Sequence, residues 1–259
     1  MESLGRFIDM KSVRDMAKKN GVNVDDPELS QKVSDYRRNT HNEWVGAVHK
    51  SKADHYASLS LFDGGQRLKF TFSQWNPSLQ KNQAKATEVA RQAHSLAESM
   101  VNKPAKVVMV GGPGVGKTSL ALAMMQLLRN KGKSVMFVSS AELSTMYDMR
   151  YDYPDIKKRL ESVLEAMKTV DVLVLDDAGT EAGVRADRAI RRDLLPQLEH
   201  VANARFDIQN NRTLRSTIVT TNNNIEELQN VYSPKMISRL LPHKASNQII
   251  FDQLDDMRE

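Results

Sequence analysis

The sequence predicts an α/β fold, a five-stranded parallel sheet covered by helices on both faces, preceded by a small helical region. Three observations carry this. Short uninterrupted apolar runs recur at 106–110, 134–138, 170–175, 215–221 and 248–251, with helical stretches between them. Strands buried on both faces read this way, whereas strands with one wet face alternate. Directly after the first run stands Gly111-Gly-Pro-Gly-Val-Gly116-Lys117-Thr118, a glycine-rich loop with G-x-x-x-x-G-K-[ST] spacing that opens a helix. The third run ends in Asp176 and Asp177, at the strand end where open sheets place their ligands.

The elements follow in order. The pattern over 6–19 is helical and Asn20-Gly21 stops it. Its apolar positions, such as Phe7, Met10, Val13 and Met16, form a stripe. Asp26-Pro27 opens a second helix, proline being at ease in a first turn. Asp63-Gly64-Gly65 reads as a turn or linker. It sets the expected boundary between a helical domain, 1–66, and a second domain, 67–259. Residues 70–75 alternate briefly until Asn76-Pro77 breaks them, and 82–102 form a long amphipathic helix. The helix over 118–128 is ended by Lys131-Gly132-Lys133. Ile237-Ser238-Arg239-Leu240-Leu241 reads as a short helix in which one arginine interrupts apolar residues.

Composition narrows the function classes. Of 259 residues, 40% are hydrophobic and 27% charged, values of ordinary globular chains. No stretch approaches the roughly 20 apolar residues of a membrane helix, and the first residues lack a secretory apolar core. A cytoplasmic protein with no membrane contact is expected. Without a single cysteine, disulfides, thiolate-bound zinc and thiol catalysis are excluded. The six histidines form no H-x-x-x-H pair, which excludes a zincin-type metal site. The net charge of +5 sits entirely beyond residue 66, because 1–66 hold ten basic and ten acidic residues. Seven arginines fall within 185–215. Solvated helix faces and attraction to phosphates both account for such an excess, and charge alone does not choose.

The motifs choose more sharply. Gly112, Pro113, Gly114, Val115, Gly116, Lys117, Thr118 and Ser119 are the expected cradle for the phosphates of a nucleoside triphosphate, ATP in the resemblance given below. Gly114 and Gly116 allow successive N–H groups to turn inward. Lys117 would reach the β- and γ-phosphates, and the Thr118 hydroxyl would hold Mg²⁺. The helix N-terminus behind them adds a positive dipole. Asp176 would reach the metal through water, and Asp177 would orient or deprotonate the attacking water. Asn222, in Thr220-Thr221-Asn222 at the end of the fourth strand, would hold that water from the opposite side. The planar guanidinium of Arg239 suits a transition-state phosphate as well as a surface ion pair. Tyr147, Arg150, Tyr151 and Tyr153 interleave rings with a cation, which suits single-stranded DNA. Alternatively, Tyr147 and Tyr151, four apart, pack one helix face on its neighbour.

Together, the GGPGVGKTS loop, the LVLDDAG strand, the TTN strand end and the SRLL box resemble the AAA+ ATPases. Within that group the chain is most similar to bacterial replicative helicase loaders of the DnaC/DnaI type, with the IstB transposition helpers as near kin. The likeness spans about 68–253. It implies an AAA+ domain with ATPase activity that self-associates on single-stranded DNA. It implies a 1–66 domain that docks the replicative hexameric helicase. The chain after Arg239 is too short for a helical lid, so Arg239 is expected to act as an arginine finger on a neighbouring subunit of a homo-oligomer. Some residues depart from the family's pattern. Asp177 stands where a glutamate is frequent, and its shorter side chain implies slow or partner-stimulated hydrolysis. Lys235 replaces an arginine that often precedes the box, and the cysteine-free chain lacks the zinc module of the DnaI branch. The rival readings are an IstB-like helper delivering a transposase, and a nucleotide-switched protein adaptor that does not touch DNA.

Overall fold

The computed structural model describes residues 10–21, 27–179 and 190–258. The chain forms two compact units, 1–51 and 52–259. The first contains α1 (Met10–Lys19) and most of α2 (Pro27–Ser58). Met16, Tyr36, Trp44 and Val48 are exposed there, while Phe7 lies outside the described residues. No described helix is long and apolar enough to cross a membrane.

The second unit is built on five parallel strands. They are β1 (Lys106–Val110), β2 (Val135–Ser139), β3 (Val172–Asp176), β6 (Ser216–Thr221) and β7 (Gln248–Ile250). A two-stranded ribbon of β4 (Phe206–Asp207) and β5 (Arg212–Thr213) stands apart, with no counterpart in the sequence reading. The sheet order is β2-β3-β6-β1-β7. Its centre is therefore β6 and β1, in register from Lys106 opposite Thr217 to Val110 opposite Thr221.

Side chains leave the strands alternately, and both faces are apolar. Val107, Met109, Phe137, Val174 and Ile218 enter one core, whereas Val108, Met136, Val138, Leu175 and Val219 enter the other. The first core is closed by α3 (Gln83–Asn102) and α4 (Lys117–Asn130). Ala86, Ala93 and Ala97 recur on one α3 face and are fully buried, so the helix backbones approach closely. The second core is closed by α5 (Ser140–Met149), α6 (Pro154–Thr169), α7 (Ile190–Ala204), α8 (Ile225–Val231) and α9 (Pro234–Leu240).

The unit boundary falls before the turn at 63–65, for a structural reason. Leu61 forms a parallel bridge with Val138 on the outer edge of β2, accepting from Ser139 N at 3.0 Å and donating to Phe137 O at 2.8 Å. Phe62 stacks on Phe137 at 4.6 Å, and Asp63 accepts from the Ser139 hydroxyl. The segment shields an otherwise open sheet edge and belongs to the α/β unit. Residues 70–79 form short 3-10 turns, 72–74 and 77–79: the Gln74 side chain accepts from Thr71 N at 2.9 Å, and Asn76 Oδ1 caps the second turn by accepting from Ser78 N at 3.1 Å.

Candidate active site

The functional side chains gather at the C-terminal ends of β1, β3 and β6. The loop from Gly111 to Gly116 links β1 to α4, and Gly116, at φ 95°, is the N-cap of that helix. A side chain there would be strained and would meet the Trp75 ring. The loop leaves Lys117 in the first turn of α4, buried. Its ammonium donates to the carbonyls of Gly111 at 2.9 Å and Gly112 at 2.6 Å and to Asn222 Oδ1 at 2.7 Å. Burial pulls the Lys117 pKa down, and the carboxylates of Asp177 and Asp176 oppose that pull.

Thr118 Oγ1 donates to Asp176 Oδ1 at 2.9 Å, and Thr220 Oγ1 donates to the same oxygen at 2.6 Å. Burial, with Asp177 adding repulsion, raises the Asp176 pKa to about 6 against the two hydroxyl bonds. Asp177 has a left-handed backbone, φ 52°, fixed by the bond from its N–H to Thr220 Oγ1 at 2.9 Å. Asn222 Nδ2 donates to Asp177 Oδ1 at 3.3 Å. The adjacency of β3 and β6 thus joins two side chains expected on opposite sides of a water. Asn222 connects Lys117 to Asp177.

A cavity of ≈ 530 Å³ lies over the loop. Gly114–Ser119, Asp176 and Asp177 line its polar end, and Leu68, Phe70, Trp75, Leu79 and Phe137 its apolar end. Trp75 is fixed by donation from Nε1 to Ala86 O at 3.0 Å. Of the apolar residues, Phe70 and Trp75 stood in the briefly alternating segment and Phe137 in the second apolar run, while Leu68 and Leu79 stood in neither. The donor set fits ATP with Mg²⁺. An ammonium and loop N–H groups suit phosphates, while a hydroxyl beside a carboxylate suits a hard cation that keeps several waters.

The other expected site residues lie elsewhere. Arg239, on α9, does not line the cavity. Its guanidinium is half-buried, and its Nη1 is buried with no hydrogen-bond partner among the described residues. Tyr147 corrects the DNA expectation, since it is buried in the core that α5 and α6 close and offers no ring to a base. Arg150 stacks over it, 3.4 Å from the ring centroid, and over Tyr151 at 4.1 Å. Tyr151 itself is 78% exposed. Of the arginine-rich run, Arg205 is buried, Arg212 pairs with Asp207 at 3.0 Å and Arg215 donates to backbone carbonyls. Arg185 and Arg188 lie outside the described residues.

A glycine-rich loop behind the central strand, with a hydroxyl–carboxylate pair and a second carboxylate at adjacent strand ends, defines a P-loop nucleotide-binding domain. Residues 78–246 match the family of IstB-like ATP binding proteins, and the chain belongs to that family. The replicative helicase loader DnaC of Escherichia coli (strain K12) is 25% identical over 148 residues, covering 57% of this chain and 55% of that protein. The insertion sequence IS21 ATP-binding protein of Pseudomonas aeruginosa is 27% identical over 169 residues, covering 62% and 56%. The chain thus spans little more than half the length of these relatives. Among solved structures, the DnaC helicase loader aligns with TM-score 0.50 and 22% identity over 70% of this chain and 95% of that one. DnaI aligns with TM-score 0.50 and 21% identity over 72% and 91%. At these identities the likeness is one of fold, a parallel α/β sheet covered by helices.

Proposed function

We propose that the chain is an ATPase that loads a replicative DNA helicase, in the manner its DnaC-type relatives are named for. The observation that carries this reading is the connected network Lys117–Asn222–Asp177 beside Thr118–Asp176–Thr220. It brings the phosphate-binding cation, the metal-holding pair and the candidate base of one chain together at three adjacent strand ends. When bound, Mg²⁺ would neutralise charge between the β- and γ-phosphates. Thr118 and Asp176 are the residues that would hold it. Lys117 binds the terminal phosphates, and Asn222 keeps its ammonium directed at them. Asp177 accepts a proton from the attacking water. As an aspartate held by Asn222 and by its own strained backbone, it has little freedom to advance, which suits slow hydrolysis. The apolar end of the cavity, with Phe70 and Trp75, receives the base.

Arg239 lies outside its own chain's cavity, which supports a role on a neighbouring subunit in a homo-oligomer. The exposed Tyr36, Trp44 and Val48 support unit 1–51 as the surface for the hexameric helicase. Tyr151 supports a stacking contact with single-stranded DNA. The family match and the IS21 relative favour a second reading, a helper ATPase in transposition. Purified protein with ATP and Mg²⁺ should capture the replicative hexameric helicase and release phosphate slowly. Capture of a transposase but no helicase favours the second reading, and capture without DNA affinity, measured by filter binding, favours an adaptor.

A further inference from the structure

Beyond β7 the chain doubles back across the glycine-rich loop. Phe251 sits so close to Gly111 that a Cβ there would lie 2.7 Å from Phe251 Cβ. Gln253 takes φ 60° and turns the backbone, and Leu254 packs into the core between the sheet and α3–α4. The next residues are clasped by the segment that forms the opposite cavity wall. Gln80 is buried, and its side chain donates to Asp255 O at 3.0 Å and accepts from Asp255 N at 2.7 Å. Lys81 pairs with the Asp255 carboxylate at 3.3 Å, and Lys85 with Asp252 at 3.1 Å. Asn82 donates to Gln253 Oε1 at 3.0 Å.

The clasp delivers residues 256–258 onto the loop itself. Met257 N donates to Gly114 O at 3.2 Å. Gly114 takes φ 72°, a conformation that strains other residues, and a Cβ there would displace the Asp256 carboxylate. Asp256 turns the chain by accepting from Arg258 N at 3.0 Å. Met257 and Arg258 thereby line the cavity together with Lys117 and Thr118, and Arg258 lies within electrostatic reach of the Lys117 ammonium. Two cations sharing one cavity repel each other. Asp256 offsets part of that repulsion, and an anion with several oxygens offsets it better.

We propose that residues 252–258 form a strap that belongs to the nucleotide site, with Arg258 serving as a second cation for the phosphates from the same chain as Lys117. The proposal rests on the reading of the cavity as an ATP site. A guanidinium suits the role because its planar donors meet phosphate oxygens in pairs. Gln80 is a positioning residue: it holds the Asp255 backbone, and the backbone carries Arg258 to the loop.

The test is ATP affinity by isothermal titration of the full chain, with Mg²⁺, for wild type, Lys117→Ala, Arg258→Ala, Arg258→Lys, Gln80→Ala and the Gln80→Ala, Arg258→Ala pair. Arg258 is exposed, so its replacement should leave the nucleotide-free melting temperature unchanged. Arg258→Ala should weaken ATP binding about tenfold, the scale of one charge-assisted contact, and Arg258→Lys should recover part of the loss. Gln80→Ala should weaken binding too, and the pair should lose no more than the worse single variant, because both act through the same guanidinium. Wild-type affinity in Arg258→Ala, with Lys117→Ala unable to bind, overturns the strap and leaves the ATP site standing. Failure of wild type to bind ATP overturns both.

Discussion

Lys117 is the residue on which the nucleotide reading turns. It is buried and held by two loop carbonyls and Asn222, so Lys117→Ala should abolish ATP binding. Asp177→Asn should keep ATP affinity within about twofold and lower turnover at least about a hundredfold, the scale of a lost general base. Equilibrium titration and phosphate release separate the two, and unchanged affinity in Lys117→Ala would sink the assignment. These residues were legible because the loop is contiguous and each carboxylate follows an apolar strand. Arg205 was not, because an arginine in a basic run looks the same in sequence whether it meets a phosphate or the core. Here it is fully buried and donates to the carbonyls of Met167 at 2.7 Å, Val170 at 2.9 Å and Ser216, and to Thr217 Oγ1 at 3.0 Å. It ties the end of α6 to the start of β6. Burial lowers its pKa to about 9. Its folded pKa thus lies below the unfolded one, so the cost of burying the charge is fully present below pH 9 and is relieved only above it. At neutral pH Arg205→Ala would strand three buried carbonyls. It should cost about 3 kcal/mol or more and lower the melting temperature by roughly 10 °C.

The five sheet strands were readable because each is apolar on both faces and ends at a polar or glycine-rich turn. The ribbon of β4 and β5 was not, since two-residue strands carry no periodicity. Residues 70–75 misled for a related reason. Their alternation reflects Phe70, Phe72 and Trp75 packing against the α3–α4 core, while Gln74 and Asn76 hold the backbone in turns through their side chains. The four-residue spacing of Tyr147 and Tyr151 fitted either packing or stacking; Tyr147 is buried in the core, and Tyr151, in the turn after α5, is exposed. Tyr147 is a core residue, and its removal should cost stability without changing the salt dependence of DNA binding. Tyr151 projects outward with Arg150 behind it, donating to its hydroxyl at 2.8 Å. Tyr151→Ala should therefore weaken single-stranded DNA binding by about 1–3 kcal/mol with an unchanged slope against salt, because no phosphate contact is lost. Filter binding across a salt series checks this, and wild-type affinity at every salt concentration would place the DNA path elsewhere.

For the molecule as a whole, the boundary matters to any dissection. A chain starting at 68 would discard Leu61 and Phe62, which are buried, and open the edge of β2, so the cut belongs at 52. Residues 52–259 should keep ATP affinity and turnover and lose helicase capture in a pull-down. Retained capture would move the docking surface into the α/β unit. The proposed assembly makes a stronger demand, because it divides one reaction between two chains. Arg239 carries a buried donor without a partner among the described residues, and its helix is tied to β1, the strand leading into the glycine-rich loop, through Lys106 Nζ on Ser238 O at 2.6 Å. Arg239 does not line its own chain's cavity. Arg239→Ala subunits should therefore bind ATP like wild type and hydrolyse it poorly once assembled. Lys117→Ala subunits cannot bind ATP but carry an intact finger. Mixed in equal amounts, the two inactive proteins should regain part of the wild-type rate, since an Arg239→Ala cavity facing a Lys117→Ala finger is complete. Phosphate release from the mixture, with assembly verified by sedimentation, is the measurement. No recovery in verified mixed assemblies would show that Arg239 does not act across subunits.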